Sequence, residues 1–123
     1  MIRKGTPKDL EVCTDLAMDF FANWLGTNGI PIIRADLKQT ILNHMDVGQC
    51  IVVERDGEVC GLAGWMVIAH PANSRIKIFY ETLWCVKSKS KVDALLMLRT
   101  LEREASIAGA DMMLMANLSH NHE

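Results

Sequence analysis

The residues best suited to a chemical role lie between a predicted strand that ends at Val86 and a predicted helix that begins near Val92. Many α/β proteins bind a phosphate at such a junction, because the first N–H groups of a helix are unpaired and the helix end carries a partial positive charge. The intervening side chains could bind an anion through charges and hydroxyl groups. They are Lys87, Ser88, Lys89, Ser90 and Lys91. The segment holds no glycine, so a solvated loop is the alternative interpretation.

A second candidate group is the carboxyl of Glu81, within the alternating stretch IKIFYETLWCV at residues 76–86. The aromatic neighbours Tyr80 and Trp84 would give it an apolar setting, which raises the pKa of a carboxyl group. Such a group can accept a proton near neutral pH, as a general base must. The alternative is that Glu81 lies on the solvent-facing side of a regularly alternating strand.

Histidines and cysteines, the usual metal ligands, do not form a predicted metal site. His120 and His122 have the spacing of metal ligands, but they stand near the C-terminal end with no other obvious ligand. The cysteines lie on four different predicted elements, without the close spacing of a zinc or redox site. They are Cys13, Cys50, Cys60 and Cys85. We interpret them as reduced core residues, which predicts a cytoplasmic protein.

Composition limits the possible functions. A chain of 123 residues and 13.8 kDa is long enough for one domain and too short for two, so we expect a single domain over residues 1–123. Half of the residues are hydrophobic and 23% are charged, as in folded globular proteins. The net charge of −2 gives no general basic field, which argues against a nucleic acid partner. No segment has the ~20 apolar residues of a membrane span, so no membrane association is expected.

The predicted elements follow the order β-α-α-β-β-β-α-β. The first helix starts in TPKDLEV, with Thr6 as its cap and Pro7 at the first helical position. The last helix should join two parallel strands, of which the second is MMLMA. Its predicted buried face consists of Ala94, Leu98, Leu101, Ala105 and Ala108. The sequence predicts the first strand at residues 1–5, the second helix at 34–45, a hairpin at 49–68, the next strand at 76–86 and the last helix at 92–108.

The hairpin is the clearest local prediction. Asp56 and Gly57 separate two apolar runs, and both residue types tolerate the positive φ that a type I′ turn requires. The runs should therefore pair as antiparallel strands. The pairs expected from this turn are Arg55 with Glu58, Val53 with Cys60 and Ile51 with Leu62.

This order resembles that of the GNAT superfamily of acetyl-coenzyme A dependent N-acetyltransferases. The start MIRKGTPKDLEVCTDLA is similar to the family's opening strand and helix, and CIVVERDGEVCGLAGW is similar to its β2–β3 hairpin, with Gly61 and Gly64 as small residues. ETLWCV resembles β4, and ALLMLRTLEREASIAGADMMLMAN resembles α3 and β5. The resemblance implies an α+β fold whose mostly antiparallel sheet contains a parallel β4/β5 pair. It also implies an N-acyltransferase that uses acetyl-CoA to acylate an amine on a small molecule or peptide.

The resemblance also assigns roles to the candidate residues. In the family, the pyrophosphate of coenzyme A lies at the N-terminus of α3, in a loop of pattern Gln/Arg-x-x-Gly-x-Gly/Ala. The pattern would fall on Lys87, Ser90 and Val92, none of which matches it, and the β-branched Val92 would obstruct a phosphate. Glu81 would be the general base, and Asn117 the asparagine that follows β5. The implied cofactor-binding residues are Cys85, Val86, Lys87, Ser88, Lys89, Ser90, Lys91 and Val92.

The sequence ends before the elements that follow β5 in the family, α4 and the β6–β7 hairpin, so we expect either a truncated product or a natively curtailed fold. We therefore expect β5 to be an apolar edge strand, and such edges are normally covered or paired. A homodimer, or a complex with another protein, is expected to form through this edge. The alternative function is a non-catalytic GNAT-fold structural or interaction protein, such as one encoded by a phage or mobile element, and the missing glycines favour it.

Overall fold

A computed structural model describes residues 1–24, 31–87 and 91–115 of the chain. Five strands form one sheet in the order β1-β2-β3-β4-β5, in which β1 to β4 are antiparallel neighbours and β4 and β5 are parallel. The α+β fold class and the order of the elements are as predicted. The elements are β1 (Ile2–Lys4), a 3-10 turn (Pro7–Asp9), α1 (Leu10–Trp24), α2 (Arg34–Asp46), β2 (Cys50–Arg55), β3 (Glu58–His70), β4 (Asn73–Val86), α3 (Lys91–Ile107) and β5 (Met112–Leu114).

The junction between β1 and α1 is fixed by a buried carboxylate. The N–H group of Thr6 donates to Asp9 Oδ2 at 2.9 Å, which caps the turn that opens the helix. The guanidinium of Arg3 donates to both oxygens of Asp9 at 2.8 and 2.9 Å, and its Nε donates to Glu54 on β2 at 2.9 Å. The Arg3 hydrogen bonds lower the pKa of Asp9 to about 2. This network ties the first strand, the first helix and β2 together.

The β2–β3 hairpin has the predicted turn but not the predicted register. Asp56 and Gly57 have φ values of 51° and 80°, as a type I′ turn requires. Arg55 is opposite Glu58, but a β-bulge follows and Cys60 is the extra residue. Because a bulge shifts all later pairs by one residue, the pairs predicted for Val53 and Ile51 are wrong. The observed partners are Gly61 for Val53 and Ala63 for Ile51.

Helices cover both faces of the sheet. Side chains of α1 and α2 pack with Cys50, Val52 and Leu62 on one face, and α3 covers Ile51, Trp65 and Phe79 on the other. The buried residues of α3 are Asp93, Met97, Leu101 and Ala105. The predicted buried face of this helix is therefore rotated, since it included Leu98 and omitted Met97. In the described part of the chain, no helix is long and apolar enough to cross a bilayer.

Candidate functional site

A second β-bulge interrupts β4 in the middle of the sheet. Leu83 is opposite Gly64 on β3, whereas Glu81 is opposite Trp65, so Thr82 is the extra residue. A bulge breaks the regular alternation of side chains and re-aims those beside it. Glu81 is only 2% exposed. The alternative prediction, in which Glu81 lies on the solvent-facing side of the strand, is wrong for this reason.

The parallel pairing of β4 with β5 ends immediately before this bulge. The paired positions are Ile78 with Met112, Phe79 with Met113, and Tyr80 with Leu114. Within residues 1–24, 31–87 and 91–115, no strand pairs with the rest of β4 on this side. Among the described residues, the segment 81–86 therefore has no neighbouring strand on its β5 side, and backbone groups at such an edge can bind an extended ligand.

The carboxyl group of Glu81 is buried, but its oxygens are not fully enclosed, since no fully enclosed side-chain oxygen among the described residues lacks a hydrogen-bond partner. Within that part of the chain it forms no hydrogen bond and no ion pair. Burial alone raises its pKa to about 7, because the charged form loses hydration that nothing replaces. A carboxyl group with this pKa exchanges a proton near neutral pH and can act as a general base.

The predicted cofactor-binding residues that the structure describes lie at the end of β4 and the start of α3. Cys85 is buried, Val86 is half-buried and Lys87 is exposed. These three residues line a cleft of about 230 Å³ together with Leu16, Asp19 and Phe20 of α1. Val92 is 60% exposed in the first turn of α3. Ser88, Lys89, Ser90, the side chain of Lys91 and Asn117 lie outside the described residues.

The four cysteines are free thiols in the structure, and three of them are buried. Burial raises the pKa of Cys85 to about 12, and the neighbouring charge of Glu81 adds to the rise. A thiol with this pKa is a poor nucleophile at neutral pH. Within the described part of the chain, no three His, Cys, Asp or Glu side chains are grouped to hold a metal ion. His120 and His122 lie outside it.

The N-terminus of α3 contains an ion pair that the sequence analysis missed. Asp93, in the first turn, is 3% exposed, and Arg55 donates from Nε and Nη2 to its two oxygens, each at 2.8 Å. A carboxylate at this position already satisfies the positive end of the helix. It therefore weakens the attraction for a phosphate there. An acidic residue in the first helical turn was the signal available in the sequence, but its partner lies 38 residues away.

A larger cleft, of about 460 Å³, adjoins the smaller one and shares Leu16, Asp19 and Lys87 with it. Most of the charged groups that line it are carboxylates, and Asp19 and Glu58 have no ion pair within the described residues. A cationic group such as a protonated amine would be attracted to this cleft.

A buried histidine that the sequence did not indicate lies beside the β4 bulge. His44 of α2 is 7% exposed, and its Nε2 lies 2.5 Å from the hydroxyl oxygen of Thr82. No short-range pattern links the two residues, which are 38 positions apart in the chain.

The residues fit the two ends of an acyl-coenzyme A differently. Beyond Tyr80, one side of β4 has no partner strand among the described residues, and the narrow arm of the ligand that carries the acyl group could lie along this edge. At the other end, the buried Asp93 carboxylate in the first turn of α3 does not fit a pyrophosphate. The described residues therefore match the acyl end of such a ligand better than its phosphate end.

No protein-family model and no curated protein sequence matches this chain. Several solved structures do match its fold. A crystal structure of a predicted acetyltransferase with acetyl-CoA from Clostridium acetobutylicum has a TM-score of 0.74 at 20% identity, over 94% of this chain and 79% of that one. A possible acetyltransferase from Clostridium difficile has a TM-score of 0.77 at 10% identity, over 99% and 82%.

A GNAT family acetyltransferase from Staphylococcus aureus matches the whole of this chain and 90% of its own length, with a TM-score of 0.66 and 12% identity. Identities this low carry information about the fold alone. The element order, the parallel β4/β5 pair and these similarities agree with the family resemblance in the sequence. The chain therefore has the fold of the GNAT acetyltransferases.

Proposed function

We propose that this protein transfers an acyl group from acetyl-CoA to an amine, with Glu81 as the proton acceptor. The observation that carries the proposal is the buried, unpaired carboxyl group one residue beyond the end of the β4/β5 pairing. Such a group is costly for stability and is typical of a functional site. The acidic cleft beside α1 supports an amine as the acceptor.

In this mechanism, Glu81 makes the amine nucleophilic. A protonated amine cannot attack a carbonyl carbon, and a carboxylate whose pKa is about 7 can remove its proton at neutral pH. Acetyl-CoA would supply the acyl group: as the amine nitrogen bonds to the carbonyl carbon, the carbon–sulfur bond breaks, and the second proton of the nitrogen passes to the departing thiolate. The backbone of β4 from Glu81 to Val86 would lie beside the acyl-bearing arm. Burial of the Glu81 side chain keeps bulk water away from the proton transfer.

The first test is titration calorimetry of acetyl-CoA into the wild-type protein and into Glu81→Gln, followed by mass spectrometry of a panel of amines. Both proteins should bind acetyl-CoA equally, and only the wild type should yield the acylated amine. Val92→Glu is the control, because it adds a negative charge beside the predicted phosphate position. The proposal fails if the wild type gives no binding heat up to millimolar acetyl-CoA.

The buried Asp93 carboxylate gives a second, independent measurement. Asp93→Ser removes the carboxylate from the first turn of α3 and leaves the guanidinium of Arg55 without its partner. A change of one charge at a helix N-terminus is worth about 0.3–1 kcal/mol in the attraction of an anion. The affinity for acetyl-CoA should therefore increase about two- to fivefold. Glu102→Ser, on an exposed part of the same helix, is the matched control and should leave the affinity unchanged.

The alternative function, a protein that acts through protein partners, is favoured by an apolar sheet surface. Two rows of three residues cross strands β3, β4 and β5 on one face, because register partners in adjacent strands point the same way. Five of these six side chains are 38–44% exposed, which is high for apolar side chains in a sheet, and the sixth, Ile78, is buried. The rows are Met66, Tyr80, Leu114 and Ile68, Ile78, Met112.

For this alternative, we propose a homodimer, or a complex with another protein, that forms through the β5 edge. Sedimentation equilibrium should detect a dimer in the purified wild-type protein and a monomer after Leu114→Lys. Ile107→Lys is the control, because Ile107 is 72% exposed on α3 and outside the two rows. A wild-type protein that stays monomeric at high micromolar concentration would exclude the homodimer.

A further inference from the structure

The β4 bulge is connected to helix α2 by a continuous chain of hydrogen bonds. The Nδ1 atom of His44 lies 2.7 Å from the carbonyl oxygen of Thr40, and its Nε2 lies 2.5 Å from Thr82 Oγ1. A carbonyl oxygen can only accept, so Nδ1 carries the proton and donates it. In the neutral ring, Nε2 then accepts from the Thr82 hydroxyl. Both nitrogens of the imidazole are thereby used.

Strand β3 is shaped to admit this histidine. A Cβ atom added to Gly64 would lie 2.9 Å from His44 Cδ2, which is closer than real Cβ contacts, and 3.2 Å from Leu83 Cδ1, which is tight. Gly64 is also the strand partner of Leu83, the residue that follows the bulge. The imidazole therefore fills a space that only glycine leaves open, and α2, β3 and β4 meet at one point.

From this arrangement we infer that His44 and Thr82 are a positioning pair that holds the β4 bulge and thereby keeps Glu81 in its buried place. Thr82 is the extra residue of the bulge and follows Glu81 directly in the chain. Without an anchor, the extra residue of a bulge can move along the strand, and a shift by one residue turns side chains to the opposite face. The hydrogen bond to His44 prevents this movement.

The inference rests on the proposed function only for what Glu81 does, not for where it lies. Neither His44 nor Thr82 is assigned a contact with substrate, so the pair acts through Glu81. Among the neighbouring titratable groups, Cys85 on β4 senses the charge of Glu81, and His44 on α2 contacts the residue beside it. Trp65, the strand partner of Glu81 on β3, is uncharged.

The test is a titration of the Glu81 carboxyl group by NMR on protein with ¹³C-labelled glutamate, assigned by the signal that Glu81→Gln removes. Thr82→Val replaces the hydroxyl group by a methyl group, and Thr82→Ser keeps it. The Ser variant should titrate like the wild type. The Val variant should titrate at least about one pH unit lower, because a displaced bulge exposes the carboxyl group to water.

A folded Thr82→Val protein whose Glu81 titrates at the wild-type pH overturns the inference. Circular dichroism checks that the variant is folded. If Thr82→Val is unfolded, the same titration is carried out on His44→Leu, which removes the acceptor of the hydrogen bond, and a wild-type titration of Glu81 in that variant overturns the inference. The titration uses neither acetyl-CoA nor an amine. A failure of the acyl-transfer assay would therefore contradict the proposed function without affecting this result.

Discussion

Replacing Glu81 by glutamine should stabilise the protein at alkaline pH and leave its stability unchanged in acid. Burial raises the pKa of Glu81 in the folded state to about 7 from its ordinary 4.5, so the folded state binds the proton more tightly than the unfolded state does. The stability that this proton contributes is fully present below pH 4.5 and is lost as the pH rises through 7. Glutamine resembles the protonated acid in shape and never ionises.

The expected magnitude follows from the difference between these two pKa values. A separation of roughly 2.5 pH units, at 1.36 kcal/mol for each, amounts to about 3 kcal/mol above pH 8. This is a large fraction of the 5–15 kcal/mol that typically stabilises a folded domain. The wild-type protein should consequently lose stability between about pH 5 and 8, whereas Glu81→Gln should not.

The assay is urea unfolding at several pH values between about 4 and 9, with free energies of unfolding obtained by linear extrapolation. Glu102→Gln makes the same chemical change on an exposed side chain of α3 and serves as the control. A difference between wild type and Glu81→Gln that does not grow with pH would refute the reasoning from burial. A glutamine variant that is less stable at pH 9 would indicate that the carboxylate has a stabilising partner.

Three further predictions concern the core. Leu101→Ala should destabilise the protein by about 2–5 kcal/mol in urea unfolding, because Leu101 is fully buried under the sheet, whereas Leu95→Ala on the exposed side of α3 should change little. Gly64→Ala should cost about 1–3 kcal/mol through its clash with His44, and a double-mutant cycle with His44→Ala should recover part of that cost. Reaction of the native protein with a thiol reagent at pH 8 should label Cys60 first, and simultaneous labelling of all four thiols would contradict the burial of the others. The slow thiols should be those of Cys13, Cys50 and Cys85, whose burial raises each pKa to about 12.

The order and type of the elements could be predicted from sequence because their signals are local. Thr6 and Pro7 mark the start of the first helical segment, and Asp56-Gly57 permits only a few turn geometries. The register could not be predicted in the same way. The bulges at Cys60 and Thr82 depend on what packs against each strand, and no residue type announces them.

The candidate site could be predicted only in part, because some of its contacts join residues that are far apart in the chain. One of the two interpretations of the sequence placed Glu81 in an apolar setting, and the structure does bury this side chain. The aromatic neighbour Tyr80, on which that interpretation relied, is 39% exposed and does not provide the setting. The roles of Arg55 and His44 depend on partners 38 residues away in the chain, Asp93 and Thr82. Contacts at this distance are properties of the folded chain, so a single sequence gives no direct indication of them.

The arrangement of the central strands has a consequence for the folding pathway. Strands β2, β3 and β4 are neighbours in the sheet and consecutive in the chain, joined by only Asp56-Gly57 and Pro71-Ala72. Short connections cost little loop-closure entropy, so this three-stranded unit should form early, and β1 and β5, which are separated from it by helices, should join later. The bulge that contains Thr82 lies inside the early unit. The chain would then build the backbone around Glu81 before the parallel β5 strand arrives beside it.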